Sequence, residues 1–349
     1  MIDVMSNARS RDAIFGGVLL AIALIIPFLD PGIYFVKQLT LLFIWTAAVT
    51  QWNLVFGVAG IWTLAHMVIF ATGGYGTAMI GLYLDWSLWV GLPIAALCAI
   101  FISYLIGVAT VRLRGPYVAV LTLAIAVAIY ALILSDSECF TYDELVCYQF
   151  SGGINGLHRF GDFGFKELLG FKQRFFGDYY LALAVLAFGT AFVIAVVRSP
   201  FGLAFRGLRD NEKYSRSRGI SFTKYQILVF VMSGFFTGLA GGVYAGFFKT
   251  MGSSVVGMPL LLYLFTMMIV GGRGYIWGPI LGCGLLMLVD DLLRTQAEWR
   301  TVVFAVIIIV VVLFMRFGLA GLIEQLWHRY VVQFFRLRRE ERERSMAAK

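Results

Sequence analysis

Arg198-Ser-Pro-Phe-Gly-Leu-Ala-Phe-Arg-Gly-Leu-Arg-Asp-Asn-Glu-Lys-Tyr-Ser-Arg-Ser-Arg-Gly-Ile-Ser-Phe-Thr-Lys224 is a polar island between two long hydrophobic runs. It holds seven Lys or Arg and two acids. Pro200 and Gly202 suit a helix start, and Gly219 suits a helix stop. Between them Phe201, Phe205, Leu208 and Tyr214 recur at roughly helical spacing, with arginines on the other side. The pattern predicts one or two short amphipathic helices lying outside a membrane. On these residues alone two readings stay open. The segment is a basic loop that only fixes topology, or it is a docking element that works on a soluble partner.

Working outward, 60% of the 349 residues are hydrophobic and 14% charged. A soluble domain has about 45–50% apolar and about 25% charged residues, so the chain reads as an integral membrane protein. The net charge of +8 is then a property of loops rather than a sign of nucleic-acid binding. The first apolar run, Ile14 to Leu29, meets Pro27 and Asp30-Pro31 without a small-residue cleavage site, so no cleaved signal peptide is expected.

A spanning helix needs about 20 mostly apolar residues. On that scale ten segments are expected, near 13–29, 38–58, 61–83, 87–111, 116–135, 179–197, 225–247, 258–272, 275–293 and 300–316. In the third, Ala71-Thr-Gly-Gly-Tyr-Gly-Thr77 reads as a break in the helix. The eighth is short and ends in Gly271-Gly272-Arg273-Gly274. With the N-terminus inside, 20 of the 28 basic residues fall on the inner side, which predicts that both termini are cytoplasmic. The fold class is therefore all-α and polytopic. Segments two to five and seven to ten are expected to form an inverted repeat, of the kind that places a pathway near broken helices.

The longest outer loop, 136–178, contains Cys139 and Cys147, as a disulfide or as two thiols. Cys98 and Cys283 lie in apolar segments as packing residues. Segment seven carries Gly234, Gly238, Gly242 and Gly246 on one helix face, where a neighbouring helix can approach closely. From Phe317 on, apolar side chains mixed with arginines suggest an interfacial helix, followed by a solvated end.

No G-x-x-x-x-G-K-[ST], H-E-x-x-H, C-x-x-C or G-x-S-x-G motif occurs. His66, His158 and His328 lie too far apart in the expected topology for one metal site. Asp85, Asp290 and Asp291 sit at segment ends, so no acid is expected at membrane depth, where a proton- or sodium-driven carrier usually needs one. The chain is expected to be no enzyme and to hold no metal or cofactor. Lacking an ion site and an ATP site, it would need an external motor, and the polar island is where a motor could push. A stand-alone channel or carrier is the competing class; a membrane enzyme finds no polar constellation to support it.

Five stretches in this order resemble the permease subunits of Liv-type branched-chain amino acid ABC importers. They are Trp52-Asn-Leu-Val-Phe-Gly-Val-Ala-Gly60 with Thr63-Leu-Ala-His66; Arg112-Leu-Arg-Gly-Pro-Tyr117 with Leu121-Thr-Leu123; Gly152-Gly-Ile-Asn-Gly-Leu157; Ser199-Pro-Phe-Gly202 through Gly219-Ile220; and Gly271-Gly-Arg-Gly-Tyr-Ile-Trp-Gly-Pro279. The resemblance implies a permease domain over 1–335, with a coupling loop at 199–222, and a basic cytoplasmic tail at 336–349. It implies a second permease, two cytoplasmic ATPases and a periplasmic binding protein as partners, in a bacterial inner membrane. Phe205, Arg206, Leu208, Arg209, Asp210, Glu212 and Gly219 fall on the coupling motif. Ser215, Arg216, Ile61 and Ala65 depart from it or from the stretch near the pathway.

The coupling helix is expected to grip its ATPase through Phe205 and Leu208, since a buried Phe contributes about 1.5–3 kcal/mol against about 0–1 kcal/mol for a surface arginine. For the pathway the candidates are Asn53, His66, Tyr75 and Thr77. His66 reads equally as a buried histidine bonded to a backbone carbonyl, and Asn53 as a bridge between helices. The expected solute is a branched-chain or related amino acid, with urea or a short amide as the alternative.

Overall fold

The structure is a computed structural model that describes residues 15–29, 32–143, 146–165, 174–293 and 318–327, with isolated positions between them. The expected tenth segment, 300–316, and the tail from 336 lie outside the described residues, apart from three single positions. Among the described residues, six helical spans are long and apolar enough to cross a membrane. They are Ile33–Val58, Leu88–Thr110, Pro116–Ser135, Arg174–Arg198, Phe222–Phe248 and Ser253–Gly271.

In chain order the helices are α1 (Phe15–Phe28), α2 (Ile33–Asn53), α3 (His66–Tyr83), α4 (Leu88–Thr110) and α5 (Pro116–Ser135). Then come α6 (Arg174–Arg198), α7 (Pro200–Asp210), α8 (Glu212–Ser217), α9 (Phe222–Phe248), α10 (Met258–Gly271), α11 (Gly278–Leu292) and α12 (Gly318–Trp327). At 15 residues, α11 reaches about 22 Å at 1.5 Å per residue, short of a hydrocarbon core about 30 Å thick.

The run Ala71–Thr77 does not break α3, which is continuous across it. Its glycines serve close packing. A Cβ on Gly73 would lie 2.0 Å from the Gly238 carbonyl oxygen, and one on Gly76 would lie 2.9 Å from the Ala95 methyl. Gly costs about 1 kcal/mol against Ala inside a helix, less than the backbone clash a side chain would cause here. The interruption comes earlier. At Leu54 α2 passes into a π turn through Val58, and residues 59–65 are not helical. Gly60 adopts φ +73 there. The unwound stretch is satisfied from the side. Trp52 Nε1 donates to Thr63 O (2.8 Å), and Leu64 N donates to Thr122 Oγ1 of α5 (3.0 Å).

The all-α expectation needs a small amendment, because two two-stranded ribbons lie in the outer-loop region. β1 (Cys139–Asp143) pairs antiparallel with β2 (Val146–Gln149), and β3 (Leu157–His158) with β4 (Thr250–Met251). Tyr83 Oη donates to the carbonyls of Gln149 (2.9 Å) and Phe150 (3.0 Å), which docks the hairpin on the end of α3. Cys139 is disulfide-bonded, whereas Cys98 and Cys283 are free thiols. Lys249, at the end of α9, meets Asp162 at 2.5 Å. At this ribbon end Tyr34 also donates to Asp291. The groups expected on the outer side thus gather at one end of the bundle. Those around α7 and α8 gather at the other.

Candidate functional site

Between α6 and α9 the polar island folds into α7 and α8, each with its own cap. Ser199 Oγ accepts from Phe201 N (3.2 Å), with Pro200 in the first turn. Asn211 Oδ1 accepts from Tyr214 N (3.0 Å), starting α8. Gly219, at φ +83, ends it with N–H to Arg216 O (2.9 Å).

Phe205 is 1% exposed and Leu208 9%. With Ala59, Ile61, Phe222, Tyr225 and Gln226 they surround a narrow crevice, and the Phe205 ring meets Tyr225 edge-on at 6.0 Å. The two side chains expected to grip a partner are therefore buried within their own chain. They hold α7 to the bundle. The apolar side chains left open to a partner are Phe201 (42% exposed), Leu203 (70%) and Tyr214 (58%). Sequence periodicity found the helix, and the structure turns Phe205 and Leu208 toward the chain's own bundle while Phe201 and Tyr214 stay open.

The charged residues of the motif are likewise tied inward. Arg206 donates to Val197 O (2.9 Å) and Gly202 O (3.2 Å), capping the end of α6. Arg209 donates to Gly57 O in the π turn (2.9 Å) and to Asp210 Oδ1 (2.9 Å). Glu212 accepts from Arg114, beyond α4 (3.0 Å), and from Arg216 (2.9 Å). One short segment is thus fastened to three parts of the bundle.

Asn53 has both ends of its amide in use. Nδ2 donates to Tyr275 O, and Oδ1 accepts from Gly274 N, each at 2.8 Å. It bridges α2 to the loop before α11. This matches the bridging alternative left open by the sequence.

His66 opens α3 and is 2% exposed. Its ring lies parallel to Trp52 (5.7 Å, 5° between planes) and stacks on Phe230 (6.3 Å, 30°). Neither ring nitrogen meets a protein hydrogen-bond partner, so the expected bond to a backbone carbonyl is absent. At about 100° per residue, Thr77 falls on the face of His66 and Tyr75 on the opposite one. Thr77 Oγ1 donates to Gly73 O (2.8 Å) and lies under Gly242. Tyr75 is buried, its hydroxyl without a protein partner. The structure thus does not bring the four pathway candidates together.

Gly234 and Gly238 of α9 lie against Ser103 and Ala99 of α4. Gly242 meets Thr77 and Leu92, and Gly246 meets the Phe163 ring. Sequence reading missed Gly241, where a Cβ would lie 1.9 Å from Phe70 O. It also missed two buried glutamines that join helices. Gln51 Nε2 donates to Gly189 O (3.0 Å), and Gln226 Nε2 to Thr110 Oγ1 (3.1 Å). A lone amide inside an apolar run was their only signal.

The sequence profile of a family described as the permease component of branched-chain amino acid transport systems matches residues 34–315. The chain belongs to that family. It is 25% identical over 341 residues to the high-affinity branched-chain amino acid transport system permease protein LivM of Escherichia coli K12, covering 91% of this chain and 77% of that protein. A probable branched-chain amino acid transport permease protein LivH of Methanocaldococcus jannaschii is 24% identical over 152 residues, covering 44% of this chain and 46% of that protein. The guanosine ABC transporter permease protein NupQ of Bacillus subtilis is 36% identical over 73 residues, covering 20% of this chain and 23% of that protein. No solved structure matches the chain.

Proposed function

We propose that the chain is the permease subunit of an ABC importer that moves branched-chain or related amino acids across the inner membrane. Separate ATPase subunits drive it, beside a second, related permease and a periplasmic binding protein. In this reading the bundle has ten spans in two halves of opposite orientation, with both termini cytoplasmic and the ribbon end toward the periplasm. The observation that carries it is the α7–α8 segment. Its apolar inner face is buried in the bundle while Phe201, Leu203 and Tyr214 stand open outside, which suits a stiff element that receives a push.

Among the described residues the most deeply buried polar side chains are Thr, Ser, Gln, Asn and His, with Asp178 and Asp290 partly buried toward helix ends. An amino acid zwitterion would then be met by amides, hydroxyls and helix ends. The same neutrality favours a second reading for the solute, urea or a short amide. The test is uptake into liposomes holding the full complex. Leucine should enter only with ATP, the ATPases and the binding protein present. Uptake by this chain alone would make it a channel or a secondary carrier.

A further inference from the structure

Besides the packing of Phe205 and Leu208, three polar ties hold the α7–α8 segment, and they differ in what they could transmit. Arg206 binds the end of α6, which runs directly into α7, so that tie travels with the segment. Glu212 reaches Arg114, whose side chain is 62% exposed; such pairs contribute little and are screened by salt. Of the three polar ties, Arg209 crosses to a distant span through a part-buried site, to Gly57. Gly57 lies in the last turn of the α2 rod, where carbonyls lack partners within the helix and a cation is favoured.

The surroundings fit this guanidinium closely. A Cβ on Gly60 would lie 2.3 Å from Arg209 Cγ, so the arginine stem lies directly on the unwound stretch. Gly274 is 3.6 Å from Arg209 Nη1, measured from where its Cβ would be. A Cβ on Gly57 would meet Asn53 Oδ1 and Gly274 N at 2.2 Å. Asn53 then clasps Gly274 and Tyr275. One side chain therefore touches a junction of α7, the unwinding end of α2 and the loop that starts α11. No other tie of the segment reaches all three.

We infer that Arg209 is a positioning residue for coupling, which makes the π turn of α2 and the 272–277 loop move with α7. This rests on the coupling reading above. Displacement of the segment by a nucleotide-hydrolysing subunit would then pull on the place where α2 unwinds, at the mouth of the stretch leading to His66. Without Arg209 the segment could still be pushed, while the bundle would follow it poorly.

The experiment uses the assembled complex, with its ATPases and binding protein, in liposomes. Leucine uptake and ATP hydrolysis are read in the same vesicles for wild type, Arg209→Ala and Arg209→Lys. In Arg209→Ala the leucine moved per ATP hydrolysed should fall roughly tenfold, the scale of one charged hydrogen bond. Arg209→Lys keeps the charge and one donor, and should recover part of the loss. Spin labels at the exposed positions 213 and 62, with Cys98 and Cys283 replaced, give a second readout. Their separation should hold steady through the ATP cycle in wild type and change in Arg209→Ala. Full leucine transport per ATP in Arg209→Ala, or a label separation that varies equally in both, would overturn the role of Arg209 alone. Failure of any ATPase to co-purify with the wild-type chain would overturn the coupling reading with it.

Discussion

The α3–α4–α9 seam and the α7–α8 segment hold their neighbours by opposite means. In the seam, backbones touch. Gly73 faces Gly238, Gly241 faces Phe70 O, and Gly234 faces Ser103, each too close for an added Cβ. Contact of that kind has many small terms and no single bond to release, so the three helices can only move together. The α7–α8 segment instead hangs on a few directional bonds from Arg206, Arg209 and Glu212, above one buried ring, Phe205. Such bonds can be exchanged one at a time. The comparison divides the molecule into a part that keeps its shape and a part held by a few exchangeable bonds.

The sharpest way to break this contrast is Gly73→Leu. With the Gly238 carbonyl 2.0 Å from the first added carbon, no monodisperse folded protein should survive detergent extraction and size exclusion. A well-folded variant would mean that the seam can open. Phe205→Ala should come next, at about 3–5 kcal/mol for an emptied aromatic site. The loss should appear as a lower thermal midpoint, with proteolytic cutting confined to 199–222 at first.

Acid offers a milder probe at the ribbon end. The hydrogen bond from Lys249 holds the Asp162 carboxyl below the usual carboxylate range; burial opposes this and the Gly164 N–H supports it. A depressed folded value means that the clasp is fully present above the unfolded value of about 3.9 and is lost as pH falls through the folded one. At one fixed pH near 8, Asp162→Asn should therefore speed hydrogen exchange at residues 157–158 and 250–251, which the wild-type clasp protects. The smallest effect belongs to Glu212→Gln. Its partner Arg114 is mostly exposed, so a shift of about 0–1 kcal/mol, shrinking further with salt, is expected in thermal unfolding.

These two regions were unequally legible in the sequence. Pro200 and Gly219 act within a few residues of themselves, so the start and stop of the segment could be read directly, whereas the Asn211 cap between α7 and α8 was not read. Which face of α7 turns inward depends on Tyr225 and on the stretch near Ala59, and no local pattern states that. The glycines of 71–77 were read as a break because glycine serves equally as a helix breaker and as a close-packing residue. The partner that decides between these, α9, is far away in sequence. The break after Val58 was legible as the end of segment two, whereas the π turn at Leu54–Val58 that leads into it contains neither proline nor a glycine pair, so nothing announced that turn. Asn53, which contacts residues 274 and 275, was recognisable as a polar bridge, but its partners were not. Family resemblance located the motif, whereas contact geometry shows which of its residues face home.

One helix stands apart from both regions. α5 buries only Val118, Thr122, Ala126 and Ile133 along a single stripe, while Val120 and Leu132 are exposed. A fluorophore or nitroxide placed on those two would sample surrounding acyl chains or a companion subunit without disturbing the helix's own packing. That makes α5 the natural station from which to watch this transporter assemble.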